Sequence, residues 1–144
     1  MRRRCALLLL AFSLIACARY PGGQDPSLHD ANQLIKQKKY NEAIVVCDRV
    51  ARESGGTTRG AEALFLAAAT RSLYDNPQKD YALSLEKFDE FIRTYPNNEK
   101  TRDAQNWRAI LKTLLDYKRE NERLNQNIEK LKKIDIRHEE RRRK

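Results

Sequence analysis

The chain has 144 residues, with 29 Lys and Arg against 20 Asp and Glu, a formal net charge of +9, and only three cysteines and two histidines. Its length suffices for one modest domain with a core and excludes two. No metal-binding spacing of Cys and His, no Ser-His-Asp order and no Gly-rich phosphate loop appears, so nothing favours an enzyme. A cell-wall hydrolase is the lesser alternative, because a catalytic carboxylate pair needs no local motif.

The first 16 residues have the features of a secretion signal. Three arginines at positions 2–4 form a positive head. The apolar run 6–15 is too short to cross a bilayer as a helix, which takes about 20 residues. The signal ends in three residues directly before a cysteine: Leu14, Ile15 and Ala16, then Cys17. An ordinary signal with an incidental cysteine is the alternative that this ending leaves open.

These four residues resemble the lipobox of bacterial lipoproteins, in which the cysteine thiol is acylated and the chain is cut before it. The resemblance implies that Cys17 carries the lipid and begins the mature chain, with several acyl chains making a stable membrane anchor. Residue 18 is Ala rather than Asp. By analogy with Gram-negative sorting, this residue implies the outer membrane, facing the periplasm. Residues 17–27, rich in Pro and Gly, are predicted to form a tether.

From residue 28 onward the sequence is predicted to be helical. Apolar residues recur at helical spacing without sustained alternation, and turn residues separate the helical stretches. Five helices are predicted, over residues 28–38, 41–53, 60–75, 80–95 and 99–140. Ser27 and Asp30 fit a capping box at the first start. The short turns make neighbouring helices antiparallel.

Two predicted hairpins share a pattern in which Tyr opens the second helix, with a small residue three positions later and a larger packing residue four after that. The first supplies Tyr40, Ala43, Cys47 and Val50, and the second supplies Tyr81, Ser84, Phe88, Phe91 and Pro96. The pattern resembles the second half of a tetratricopeptide repeat (TPR), in which the small residue lets helices approach and the large ones pack against the next unit. The resemblance covers residues 28–111 and implies a short TPR-like array. A generic helical bundle is the alternative.

This sequence departs from the family pattern in three respects. Ser84 stands where Ala is usual, and the first unit ends in Ser-Gly-Gly rather than Pro. The interval between Tyr40 and Tyr81 is 81 − 40 = 41 residues, longer than the usual repeat of about 34. We therefore expect the extra residues in connecting loops.

Trp107 and Cys47 are both predicted to be packing residues. Trp107 belongs to a stripe at helical spacing: Ala104, Trp107, Ile110, Leu111 and Leu114. This stripe would cap the second repeat as the first helix of a third. Cys47 lies on an apolar helix face, so we expect a small buried hydrophobe rather than a nucleophile.

Residues 112–144 have a sequence pattern different from that of the hairpins. Inner positions repeat at steps of three and four: Leu114, Tyr117, Asn121, Leu124, Ile128, Leu131 and Asp135. This heptad spacing is typical of a coiled coil, in which the Asn would favour one register. A homodimer seam, pairing with another protein's helix, and a single solvated helix are the three alternatives. The predicted partner-binding residues are Leu124, Ile128, Leu131, Ile134 and Arg137.

The excess positive charge is concentrated in the same segment. Residues 112–144 hold 12 Lys and Arg against 7 Asp and Glu, a net charge of 12 − 7 = +5. In a secreted chain, anionic lipid or cell-wall polymer is a more plausible partner than nucleic acid. The last fifteen residues, KLKKIDIRHEERRRK, resemble the tail of QseG-like outer-membrane lipoproteins that accompany two-component sensor kinases. This resemblance implies a sensor kinase as an alternative partner.

The sequence thus predicts an all-α chain: a signal over 1–16, a lipidated tether over 17–27, a TPR-like domain over 28–111, and a charged long helix over 112–144. The predicted function is that of a lipid-anchored periplasmic adaptor that binds envelope proteins. Its array would present polar side chains from the first helix of each hairpin: Asn32, Lys36, Arg71 and Arg108. The long helix would reach a second partner. No metal and no cofactor beyond the lipid on Cys17 is expected.

Overall fold

The computed structural model describes residues 27–143, and all regular structure in that range is helical. The predicted signal, lipobox and most of the tether lie outside the described residues. The helices are α1 (Leu28–Lys36), α2 (Tyr40–Glu53), α3 (Thr58–Arg71), α4 (Tyr81–Thr94) and α5 (Thr101–Arg142). The prediction of an all-α chain that ends in a long helix is therefore confirmed over this range. No helix within residues 27–143 combines the length and apolar character needed to cross a membrane.

Side-chain caps set the starts of three helices. The Ser27 hydroxyl accepts from the Asp30 amide at 3.1 Å, and the Asp30 carboxylate accepts from the Ser27 amide at 3.0 Å, which confirms the predicted capping box. Thr57 caps α3 by accepting from the Gly60 amide at 3.1 Å. Asp80 caps α4 by accepting from the Leu83 amide at 2.9 Å. Each cap satisfies an amide that has no partner within its own helix.

Two helices end at least two residues earlier than predicted. α3 ends at Arg71 rather than 75, because the following turn has its own hydrogen bonds. Its buried Asn76 donates to the Thr70 carbonyl at 3.1 Å and accepts from the Gln78 amide at 2.9 Å. α1 ends at Lys36 rather than 38, and Lys38 has a φ of 61°, a left-handed conformation that no helix can continue through.

Consecutive helices pack as antiparallel hairpins, with α3 between α2 and α4. α3 approaches α2 closely because its contact face carries small side chains. A Cβ on Gly60 would lie 2.2 Å from the Ser54 carbonyl oxygen, so only glycine fits there. On the other side of α3, Phe65 packs edge-on against Phe88 at 5.5 Å and Phe91 at 5.6 Å between ring centroids. These contacts form the larger of the two apolar clusters.

α5 belongs to the packed domain only at its start. Ala104 and Leu111 are buried against α4, whereas every described residue after Leu115 is exposed. At 1.5 Å per residue, the 42 residues of α5 span about 63 Å. More than half of that length extends beyond the hairpins.

Candidate interaction surface

Most of the predicted repeat-packing residues lie in the core. Seven are buried: Tyr40, Ala43, Cys47, Val50, Ser84, Phe88 and Phe91. Tyr81 is only partly buried and packs against the edge of the larger cluster, and Pro96 is exposed. The burial follows the predicted spacing, because these positions on the second helix of each hairpin face the neighbouring hairpin or the first helix of the same hairpin.

Ser84 is compatible with the core because its hydroxyl has a partner. The side chain is completely buried, and its hydroxyl donates to the Ala68 carbonyl of α3 at 2.8 Å. A buried hydroxyl without such a bond would be costly. Ser84 therefore adds a polar link between α3 and α4.

Cys47 is an inert core thiol. It is free and completely buried, in a small cluster with Ala31 and Ala67. Burial, together with the nearby Asp48 carboxylate, raises the pKa of the thiol to about 12, an effect that Arg71 partly opposes. The reactive thiolate is therefore suppressed at neutral pH, as expected for a structural cysteine.

Arg71 does not lie on the binding face where the sequence analysis placed it. The residue is only 7% exposed, and its guanidinium donates to the Ala67 carbonyl at 3.0 Å. A second nitrogen lies 2.6 Å from the Asp48 carboxylate on α2. Arg71 thus joins α2 to α3 and cannot contact a partner. The prediction was wrong because no local spacing relates positions 48 and 71.

The other three polar residues predicted for the binding face remain at the surface. Asn32 and Lys36 are exposed on α1, and the Asn32 amide donates to the Leu28 carbonyl of its own helix at 2.9 Å. Arg108 is also exposed and forms an ion pair with Asp89 on α4. An exposed pair of this kind contributes little to stability, so both of its charges remain accessible to a partner.

A polar contact that the sequence analysis missed joins the first and second hairpins at one end. The Tyr40 hydroxyl donates to the Asp75 carboxylate, which raises the pKa of Tyr40 to about 12 and lowers that of Asp75. The Lys38 ammonium lies 3.2 Å from the same carboxylate. Tyr40 therefore has a polar role in addition to the packing role that its spacing predicted.

An apolar groove runs along the open side of α5. Trp107 is 37% exposed, and its ring stacks on Phe88 with 6.1 Å between centroids and planes 1° apart. Beyond it, Ile110 is 58% and Tyr117 is 73% exposed. Ile110, Leu114 and Tyr117 line a shallow groove of about 440 Å³. Trp107 lines an adjoining depression, which it shares with Ile110. We call the four residues Trp107, Ile110, Leu114 and Tyr117 the groove residues.

The groove corrects part of the predicted core stripe. Ala104 and Leu111 are buried as expected, but Ile110 faces solvent and Trp107 and Leu114 are only half covered. The reason is that α4 covers one side of α5, while no helix among residues 27–143 covers its other side. The stripe is thus a core face that α4 covers only in part.

The predicted partner-binding residues continue this stripe along the free part of α5. Leu124 and Ile128 are each 48% exposed, Leu131 is 61% and Ile134 is 41%. Arg137 is exposed, and its guanidinium donates to the Lys133 carbonyl of the same helix at 3.2 Å. The apolar stripe thus extends from the groove to the last turns of the helix.

Ion pairs three residues apart support α5 where no other helix contacts it. Arg123 pairs with Glu120 at 2.6 Å, and Lys132 pairs with Glu129 at 2.8 Å. The hydrogen bond from Arg123 lowers the pKa of Glu120. Such pairs each stabilise an isolated helix by about 0.2 to 0.5 kcal/mol. They lie outside the apolar stripe and leave it uncovered.

Within residues 27–143, no group of three or more His, Cys, Asp or Glu side chains is arranged to hold a metal ion. The chain matched no family model, no curated protein and no solved structure. The interaction surface is therefore interpreted from its own chemistry.

Proposed function

We propose that this protein is a lipid-anchored adaptor of the bacterial envelope, facing the periplasm, which binds other envelope proteins through its helical hairpins and through α5. The observation that carries this proposal is the exposed apolar stripe on α5, which extends from Trp107 to Ile134 and is interrupted at Asn121. A solvent-exposed apolar surface of this extent usually marks an interaction site. The groove residues give it an open apolar start, on which the apolar face of a helix or peptide can pack.

The hairpins support a TPR-like assignment for residues 28–111. Small buried residues occur where two helices approach, as at Ala43 and Ser84, and large ones fill the space beyond them, as at Phe88. In TPR arrays each repeat covers the previous one, and the last needs a capping helix. Among residues 27–143, α5 supplies a first helix without a second one packed on it, so this face of α5 is open for a partner.

The membrane anchor is proposed from sequence alone, on the lipobox-like residues that precede Cys17. Acyl chains on Cys17 would hold the domain close to the membrane, since a tether of ten residues reaches at most about 35 Å. We therefore expect Cys17→Ser to release the protein from the outer-membrane fraction. The unchanged chain should incorporate a clickable palmitate analogue at Cys17, and incorporation without Cys17 would contradict the anchor.

The adaptor role is tested by photo-crosslinking in cells from position 110 in the groove. A photoreactive residue in place of Ile110 should capture an envelope protein, whereas one in place of Gln105, exposed on the opposite side of α5, should not. The captured protein should then bind the purified full chain and lose that binding with Ile110→Glu. Equal capture from both positions, or binding unaffected by Ile110→Glu, would contradict the proposal.

A sensor kinase is the second candidate partner, favoured by the resemblance of the last fifteen residues. In the structure this tail continues α5 as a helix through Arg142, with Leu131, Ile134 and Arg137 exposed. A photoreactive residue in place of Arg137 should then capture a histidine kinase. If the adducts at position 137 contain only other envelope proteins, the protein is an adaptor without a signalling role.

A further inference from the structure

We infer that the free part of α5 pairs with the same helix of a second copy of this chain, as a parallel two-stranded coiled coil over residues 114–131. This inference rests on the proposed adaptor function and names the occupant of one section of its surface. This pairing covers Leu114 and Tyr117, so that Trp107 and Ile110 of the groove, together with the charged tail, remain for other proteins.

The inner positions of α5 fit a two-stranded seam. In heptad notation, Leu114, Asn121 and Ile128 occupy position a, and Tyr117, Leu124 and Leu131 occupy position d. The five apolar members are between 39% and 73% exposed. A parallel pair brings each residue opposite its own copy, so that all five are covered together. A β-branched residue at a with Leu at d, as at Ile128 and Leu131, favours two strands in parallel pairs.

Asn121 favours a second copy over an unrelated helix. It is the single polar residue inside the apolar section of the seam, where an unpaired amide would be costly. Its side-chain oxygen already accepts from the Asn125 amide at 2.9 Å, which leaves its own NH₂ group for a partner. A second Asn121 directly opposite provides that partner, and a single Asn at position a is known to fix register in this way.

Antiparallel pairing fits less well. The register that places Leu114 opposite Leu131 places Asn121 opposite Leu124, so both buried amides lose their partner. A shift by one heptad in one direction places Lys118 opposite Lys132, and a like-charge contact opposes association. The next shift in that direction places Leu124 opposite Asp135. A shift by one heptad in the other direction places Asn121 opposite Tyr117, so the two Asn121 amides again do not meet. Each antiparallel register that keeps three or more pairs of inner residues opposite one another thus gives an amide or a charge an unfavourable neighbour.

The residues that flank the parallel seam introduce no like-charge contact. Glu120 of one helix lies beside Asn125 of the other, and Asn127 lies beside Lys132. In the parallel register each of these flanking charges therefore meets a neutral amide, so the flanks do not oppose the pairing. At the far end, Asp135 would face its own copy, so we expect the seam to end just beyond Leu131.

The hairpins leave room for a second helix. α4 packs on the side of α5 that contains Ala104 and Leu111, and every described residue after Leu115 is exposed all around the helix. The seam begins where this contact ends and spans about 26 Å at 1.5 Å per residue. Parallel pairing also places both packed domains, and hence both proposed anchors, at the same end of the dimer.

The test begins with photo-crosslinking of the full chain from positions 117 and 131, because only parallel pairing in register places each of them opposite its own segment of the second copy. A photoreactive phenylalanine derivative should form an adduct with residues 114–121 of a second copy when it replaces Tyr117, and with residues 128–135 when it replaces Leu131. An adduct from position 117 at residue 128 or beyond, or from position 131 at residue 121 or before, would establish antiparallel pairing and overturn the inference. An adduct with a different protein, or the absence of any adduct, would contradict the inference that a second copy occupies the seam. Position 119, on the outer side of the helix, is the matched control and should give no adduct.

Self-association is then measured by analytical ultracentrifugation of two full-length variants that add the same charge. Leu124→Glu places a carboxylate in the seam and should raise the dimer dissociation constant by roughly 100-fold or more. Gln126→Glu adds its charge on the outer side and should change the constant by less than about threefold. Equal effects of both variants, or a wild-type chain that stays monomeric at high micromolar concentration, would overturn the inference.

The two proposals fail separately. If the second copy is not the occupant of the seam, the wild-type chain is a monomer and Leu124→Glu does not change its association state. Capture of envelope proteins from position 110 then continues. If the adaptor function is wrong, capture from position 110 is lost or nonspecific, even though adducts at position 117 still join two copies of the chain.

Discussion

The two halves of α5 form the sharpest contrast in the molecule, because one helix passes through two environments. Its first turns share a core with α4, where Ala104 and Leu111 are buried. From residue 116 onward every described residue is exposed. Apolar residues nevertheless recur in both halves. Hydrophobic periodicity therefore indicates which face of a helix requires a partner, but not whether that partner belongs to the same chain.

The contrast also separates two sources of helix stability. The short helices α1 to α4 depend on tertiary packing, as most protein helices do. The free part of α5 depends on residues with high helix propensity and on ion pairs three residues apart, such as Glu129 with Lys132 at 2.8 Å. Substitutions in the two regions should therefore have very different effects on the free energy of unfolding.

The largest effect is expected from Phe88→Ala. Phe88 is completely buried and contacts Phe65 and Trp107 through ring packing. Its removal should lower the free energy of unfolding by about 3 to 5 kcal/mol, measured by urea denaturation. The matched substitution in the free region is Ile136→Ala, at a 57% exposed residue outside the seam, which should cost less than about 0.5 kcal/mol. Similar losses would show that the free helix is stabilised by contacts within the chain.

The second effect concerns the ion pair between α2 and α3. Asp48→Ala should lower the free energy of unfolding by about 3 kcal/mol, because the guanidinium of Arg71, whose side chain is only 9% exposed, then loses its counter-charge. The control is the double substitution Asp48→Leu with Arg71→Met, which removes both charges and should cost much less than Asp48→Ala alone. A double variant as unstable as the single one would indicate packing loss rather than an unpaired charge.

The fold was predictable where residues close together in the sequence determine the local structure. The capping box at Ser27, the packing spacing from Tyr40 to Val50, and the long final helix all depend on residues close in sequence. The end of α3 was placed four residues too late, since the turn around Asn76 depends on its own hydrogen bonds. The exposure of Ile110 was also missed, because it depends on the absence of a helix that would cover α5 among residues 27–143.

The polar links between hairpins were the least predictable part of the surface. Arg71 was expected on a binding face, yet its partner Asp48 lies 23 residues earlier. Tyr40 was expected only to pack, yet its hydroxyl bonds to Asp75. Pairing over such separations is decided by how the hairpins stack, which no local spacing specifies.

The smallest effect should appear as a pH dependence of stability that separates Tyr40 from an exposed tyrosine. In the folded state the pKa of Tyr40 is raised from 10.0 to about 12 by its hydrogen bond to Asp75. Because the folded state holds this proton more tightly, the stabilisation is fully present below pH 10 and is lost as the pH rises from 10 to about 12. The pKa of Asp75 is lowered from 3.8 by the same bond, so its contribution is present above that pH and is lost on further acidification.

The comparison of Tyr40→Phe with Tyr74→Phe tests this linkage in urea denaturation at pH 7, 10 and 12. Tyr74 is 85% exposed and close to the same turn, so its substitution should leave the alkaline loss of stability as it is in the unchanged chain. Tyr40→Phe should be less stable at pH 7 and should lose less stability between pH 10 and 12, since it has no phenol to ionise. If both variants follow the unchanged chain across this range, the alkaline transition comes from lysines elsewhere, and the contact between Tyr40 and Asp75 does not join the two hairpins in solution.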